Sequence, residues 1–345
     1  MRRGVPFHDA GKPSRQDTRA RGAARLASLR VRGSAVLSSR WLRLCVSIGL
    51  LVLLFAWTDV SQVFPIVADA RFGYLALLPL VVIADRLLSS FRLYLLLRGK
   101  HARVNFLGIF RLILVSGFAG FLVPGTVGVD AIRVYGIAKT TTSLSLSVTS
   151  VLLERFLGMF SLCLLVFAGL ALGPPGLPAL EGELAWTAFG LLLAGALALM
   201  SPPLQRLSLL VLSPGWLAVP RRSLEKVHAV LDDYRQQPWL MFWSLVVALI
   251  FQLNRCLAPA IGAMALGASV PFLTFVTLVP IITLAELMPI SIDGLGVREV
   301  AFVYLFSLAG MPMEVSLPLA LLTRMARLLL LPVGAWLYVR GGVSG

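Results

Sequence analysis

The 345-residue chain is 58% hydrophobic and only 14% charged, with a mean hydropathy of +0.88. A soluble domain needs about a quarter of its residues charged, so this apolar surface belongs in lipid and a water-soluble fold is excluded. The formal net charge of +15 does not mark a nucleic-acid binder: residues 1–43 hold eleven Lys/Arg against two Asp, and no reading module follows them.

Residues 1–41 form a basic, Arg/Gly/Ala/Ser-rich segment that reads as a disordered cytoplasmic arm able to lie on anionic headgroups. Arg2 and Arg3 resemble a twin-arginine start. However, the first apolar run begins only near Leu42 and no small-x-small cleavage site follows Trp57, so 42–58 is expected to stay as a first span. Further runs long enough to cross a bilayer lie at about 74–97, 144–172, 185–201, 239–267 and 315–339, given that roughly 20 helical residues cover an apolar core of about 30 Å. Two more apolar stretches, 105–140 and 272–309, are interrupted by PGTVGVDAIR (124–133) and PISIDGLGVR (289–298). Proline, glycine and aspartate there argue against continuous helices, with the breaks placed at Pro124, Gly125, Gly128, Pro289, Gly294 and Gly296.

Charge orients the spans. Arg98, Lys100, Arg103, the basic 202–238 connection and Arg340 lie on one side, whereas 173–184, 268–271 and 310–314 contain no Lys or Arg. By the positive-inside rule both termini are cytoplasmic. Parity then requires 105–140 to enter and return to the cytoplasmic side, and 272–309 to enter and return from the opposite face. The expected fold is an all-α integral membrane bundle of about six full spans plus two broken or re-entrant hairpins. The domain covers 42–340, with repeat-like halves at about 74–172 and 239–339 joined by the 202–238 linker. The two decapeptides, and SVLLERFLGM against PLALLTRMARLL with Arg155 matched to Arg324 after a small offset, read as an inverted repeat.

Charges at bilayer depth cost at least about 2.5–3.5 kcal/mol each on insertion scales, so those present need partners or a task. Asp85, Arg86, Arg92, Arg111 and Arg255 fall in apolar runs, and Asp85, Arg92 and Arg111 read more readily as internal glue. Residues beside the breaks read better as substrate-binding, because helix ends there leave backbone N–H and C=O groups facing a cavity. These are Asp130, Arg133, Asp293, Arg298 and Glu299, and the substrate-binding set also takes in Glu154, Arg155, Arg324 and Arg327 farther along the chain. Arginines can grip a phosphate bidentately, and Arg324 and Arg327 share a helix face. Glu154, Glu286 and Glu299 are candidate proton carriers. Cys45, Cys163 and Cys256 lack CxxC spacing, and no HExxH, GxSxG or Walker loop occurs. No catalytic residue, metal or cofactor is therefore expected.

FLVPGTVGVDAIR with SVLLERFLG, and later LMPISIDGLGVREVAF, resemble the lysylphosphatidylglycerol synthase transmembrane family, also called flippase-like domain proteins. Pro289, Ser291, Gly294, Gly296, Arg298 and Glu299 match its second motif, while the first has Val129 where a second glycine is usual. The resemblance implies a multi-pass protein of the bacterial inner membrane with re-entrant elements; in the bifunctional members this membrane domain moves a modified phospholipid between leaflets. Bifunctional members add a soluble aminoacyltransferase domain. This chain stops soon after its last span, so no lysyl transfer is expected. The expected partners are a lipid or lipid-linked substrate, the membrane and lipid-biosynthetic enzymes, with no nucleic acid. The alternative is an accessory or integral enzyme of envelope glycolipid or hopanoid synthesis.

Overall fold

A computed structural model describes residues 45, 48–50, 52–54, 65–122, 126–172, 190, 232, 234, 236–286 and 294–341. By contacts the chain separates into Met1–Val46 and Ser47–Gly345, and the helical bundle lies within the second unit. The basic arm, nearly all of 185–201 and of the 202–238 linker, and most of 42–58 lie outside the described residues, as do Pro124, Gly125, Pro289 and Asp293.

The described residues form ten helices and no strand: α1 Phe72–Leu75, α2 Leu78–Gly99, α3 Phe106–Leu122, α4 Thr126–Thr141, α5 Leu144–Ala171, α6 Pro238–Ala265, α7 Phe272–Glu286, α8 Val297–Leu308, α9 Met313–Leu328 and α10 Leu331–Gly341. Helices are the economical answer in lipid because every backbone polar group is bonded within its own segment. Four segments of 28 residues are long and apolar enough to cross a membrane: Phe72–Gly99, Leu144–Ala171, Pro238–Ala265 and Met313–Arg340. All four coincide with expected spans. Their starts follow local rules. The Ser143 hydroxyl accepts from the Leu146 N–H at 3.3 Å as the cap of α5, and prolines open α2 and α6 where no N–H is needed.

The broken stretches fold back as parity required. Leu97 at the end of α2, Ala102 in the following loop, Ile109 near the start of α3, Ile137 near the end of α4 and Val151 in α5 belong to one buried cluster. The α3–α4 hairpin therefore leaves and returns at the same end of the bundle. A second cluster joins Ala263 of α6, Phe275 of α7, Phe306 of α8 and Met311 before α9, so α7–α8 does likewise.

The ends are opposite, because α2 and α6 run antiparallel. Gly99 faces Leu240, the Asn254 amide donates to the Val81 carbonyl at 3.1 Å, and the Arg71 N–H donates to the Ala265 carbonyl at 2.9 Å. The hairpin helices have 17, 16, 15 and 12 residues. At 1.5 Å per residue they reach roughly 18–25 Å, short of an apolar core of about 30 Å.

One expectation is corrected. Gly128 is not a break but lies inside α4, which restarts at Thr126 and leaves only 123–125 between the two helices. A lone glycine costs a helix about 1 kcal/mol, less than leaving buried backbone groups unbonded in lipid. Beside it, Val129 packs into the notch left by Gly120, where any side chain would collide with it. The second break does use glycine: Gly294 and Gly296 adopt φ of 68° and 84°, and α8 starts immediately after.

Neighbours recur in the same order in both halves. α2 packs on α3 and α5 as α6 packs on α7 and α9, and α3–α4–α5 follow one another as α7–α8–α9 do. Across the halves, α5 packs on α7 and α10 packs on α3. Both of these last contacts close over a glycine. A Cβ on Gly169 would stand 3.0 Å from Thr277 Cα, and one on Gly334 would stand 2.5 Å from the Leu114 carbonyl oxygen. Backbone atoms cannot swing aside, so Gly334→Leu is expected to cost about 1–3 kcal/mol by overpacking. The thermal midpoint of the purified protein should fall accordingly, and an unchanged midpoint would show that α10 can shift freely on α3.

Candidate functional site

The charges that sequence scatters over seven helices converge near the middle of the bundle. Glu154 lies ten residues into α5, roughly 15 Å from its start and so about half-way through an apolar core. It is fully buried, and two arginines reach it. Arg92 Nη2 of α2 donates to its Oε1 at 2.7 Å, while Arg133 Nη1 of α4 stands 3.6 Å from its Oε2. Arg133 also donates from Nε to the Ser116 hydroxyl of α3 at 3.3 Å. One turn earlier on α4, Asp130 pairs with Arg155.

In the second half, Arg298 stands in the first turn of α8 and reaches α9. Nη1 donates to the Ala320 carbonyl at 3.1 Å and Nη2 to the Thr323 hydroxyl at 2.9 Å. Arg133 thus reaches the residue before Arg155 on α5, and Arg298 the residue before Arg324 on α9. Glu299 has no exposed surface. It accepts the Gly296 N–H at 2.8 Å, capping α8, and the Arg324 Nε at 2.6 Å. Glu286, at the end of α7, accepts from Arg327 at 2.9 Å and stands 3.8 Å from Arg298 Nε.

These groups surround a cavity of about 270 Å³ walled by α2, α4, α5, α6, α7, α8 and α9. Arg133, Glu154, Arg298 and Arg327 line it as the sequence reading proposed, whereas Asp130, Arg155, Glu299 and Arg324 pair behind its wall. Asp85, Arg86, Arg92, Asn254 and Arg255 also line it, and the sequence reading had not placed them in the site. A signal for them was present. Val82, Asp85, Arg86, Ser89 and Arg92 recur at three- and four-residue spacing, which marks one polar face on a helix otherwise made for lipid. Phe251 of α6 is approached by two of these arginines, with its ring centre 4.9 Å from Arg92 Cζ and 5.9 Å from Arg255 Cζ.

Another buried polar contact ties elements together. The Tyr234 hydroxyl donates to the Leu96 carbonyl at 3.1 Å and meets the Ser150 hydroxyl at 2.9 Å, tying the linker to α2 and α5. Among the described residues, no three His, Cys, Asp or Glu side chains converge as metal ligands would.

Residues 40–334 match the family described as lysylphosphatidylglycerol synthase TM region. The chain belongs to that family. No curated protein and no solved structure matches it. Within this lysylphosphatidylglycerol synthase transmembrane protein, the family-type motifs run into helices. Each ends at the first turns of a hairpin's returning helix and delivers one arginine, Arg133 or Arg298, to the same cavity. Membership makes it a membrane-embedded protein with a lipid-related role.

Proposed function

We propose that the protein carries a lipid or lipid-linked substrate between leaflets, holding the headgroup in the arginine-lined cavity while the tails stay in surrounding lipid. The observation that carries this reading is the position of the cavity: a charged chamber at mid-depth, walled by both hairpins and by the antiparallel pair α2–α6. Broken helices dipping in from opposite faces around a midplane site are the usual architecture of alternating access. The repeated order of neighbours, the equivalent reach of Arg133 and Arg298, and the glycine contacts at Gly169 and Gly334 support reading the halves as an inverted repeat. Rocking of one hairpin against the other would open the chamber to one face at a time. The inner membrane of a bacterium, with both termini cytoplasmic, is the proposed setting, and an aminoacylating or other enzymatic role is not part of the proposal.

Reconstitution tests it. Proteoliposomes carrying fluorescent or spin-labelled lipids should equilibrate label between leaflets faster than protein-free vesicles. A broad panel, including polyprenyl-linked sugars and hopanoids, that never moves would sink the idea. A role in glycolipid or hopanoid synthesis is separated by lipid analysis of a deletion strain: transport leaves the product made but confined to the inner leaflet, whereas synthesis leaves it missing.

A further inference from the structure

The charge inventory of the cavity says which headgroup it holds. In its wall and directly behind it stand eight arginines (86, 92, 133, 155, 255, 298, 324 and 327) and five carboxylates (85, 130, 154, 286 and 299). Asp293, outside the described residues, would still leave the arginines ahead by eight to six. Four of the five carboxylates are engaged by arginines at close range: Asp130 by Arg155, Glu154 by Arg92 and Arg133, Glu286 by Arg327, and Glu299 by Arg324. Asp85 reaches only its neighbour Arg86, at 3.9 Å. Arg255 makes no hydrogen bond or ion pair with any described residue, and its guanidinium lies against the Phe251 ring.

An uncompensated cation at this depth is costly. A buried donor without an acceptor adds its own penalty. Arg92, 6% exposed, has Nε and Nη1 without any hydrogen-bond partner, and Arg298, 4% exposed, has Nε in the same state. Both side chains line the cavity. Phe251 holds Arg92 and Arg255 against one ring, so their guanidinium groups share one region of the chamber.

The geometry points to a phosphate-bearing headgroup of net negative charge as the ligand, gripped by Arg86, Arg92 and Arg255 where α2 crosses α6. Guanidinium edges match phosphate oxygens two by two: Arg255 has no counter-ion among the described residues, Arg92 keeps Nε and Nη1 open beyond its bond to Glu154, and Arg86 meets Asp85 only at 3.9 Å. Among the described residues, Asp85 and the Oε2 atoms of Glu154 and Glu286 are the open carboxylate acceptors, but each stands among arginines in excess. The surplus positive charge disfavours an added headgroup ammonium, and with it an aminoacylated or zwitterionic lipid, even though the family is named for a lysylated one. The volume of about 270 Å³ lies below the roughly 300–1,000 Å³ of drug-sized pockets, which suits a phosphate with a small substituent and not an oligosaccharide. The inference rests on the translocation reading for its lipid source alone, since free phosphate esters share the chemistry.

The test uses the full chain in detergent exchanged against mixed phosphatidylglycerol and phosphatidylethanolamine, with retained lipid counted by native mass spectrometry. Phosphatidylglycerol should be retained at least about tenfold over phosphatidylethanolamine. Arg255→Gln should lower that preference by about tenfold, the worth of one charge-assisted contact, with little change in the thermal midpoint, because Arg255 makes no hydrogen bond or ion pair with a described residue and only a 5.9 Å ring contact with Phe251. Arg92→Gln should lose the preference too, but with a lower midpoint through Glu154.

Added glycerol 3-phosphate or inorganic phosphate separates the sources. Displacement of the lipid means that the phosphate alone is read, and retention means that the lipid is, with either outcome keeping the anion site. Equal retention of the two lipids, or an Arg255→Gln variant with unchanged preference, overturns it. In proteoliposomes, equally fast movement of both lipids without selective retention would remove the anion site and leave translocation standing. Selective retention without movement would do the reverse.

Discussion

Glu154→Gln is expected to lower the stability of the protein by about 3–5 kcal/mol, because it strips the counter-charge from buried Arg92 and half-buried Arg133 at once. In thermal unfolding of the detergent-solubilised protein this should appear as a fall of about ten degrees or more. The sign is set by burial. Glu154 is 1% exposed and Arg92 6% exposed, so water cannot take over solvation of the stranded guanidinium. The same reasoning fixes the control. Removing the partner as well, in Glu154→Gln with Arg92→Met, should recover a substantial part of the loss, since an apolar replacement of a whole buried pair costs far less than breaking it. If the single variant melts like the parent, Glu154 is not the electrostatic centre of the first half.

Arg298→Lys, which keeps the charge, is expected to behave nearly as badly as Arg298→Ala in lipid translocation, with rates at least about tenfold below the parent. The guanidinium donates in separate directions to the Ala320 carbonyl and the Thr323 hydroxyl, and it stands beside both Glu286 and Glu299. A lysine ammonium is a point charge on a flexible stem and cannot hold α8, α9 and the end of α7 in one arrangement. Full activity in Arg298→Lys would reduce the role of this residue to charge alone.

The order of these helices was legible from very little. Parity and the placement of a few arginines required two hairpins returning from opposite faces, and the clusters around Leu97 and Ala263 show those returns. Local detail was less legible. Pro124, Gly125 and Gly128 looked alike as helix breakers, but in lipid the demand for backbone hydrogen bonds overrides one glycine and α4 runs through Gly128. The site divided along the same line. Arginines beside a break announce themselves by local sequence, so Arg133 and Arg298 stood out. Arg86, Arg92 and Arg255 sit in continuous helices, and only antiparallel packing of α2 on α6 brings them to the same cavity. Asp130 and Glu299 looked equally available, yet each is engaged by an arginine on the following helix, a tertiary fact with no trace in spacing.

The Arg92–Glu154 pair also sets a timetable. Sixty-two residues separate the partners, so α2 leaves the ribosome carrying Asp85, Arg86 and Arg92 well before its counter-charge on α5 has been made. At about 5–20 residues per second that interval is roughly 3–12 s. During it the helix is a poor guest in lipid, with each charge at its centre disfavoured by several kcal/mol. Release of α2 into the bilayer is therefore favoured only once α5 arrives to neutralise it, which makes the first half a unit of biosynthesis and not a series of independent spans.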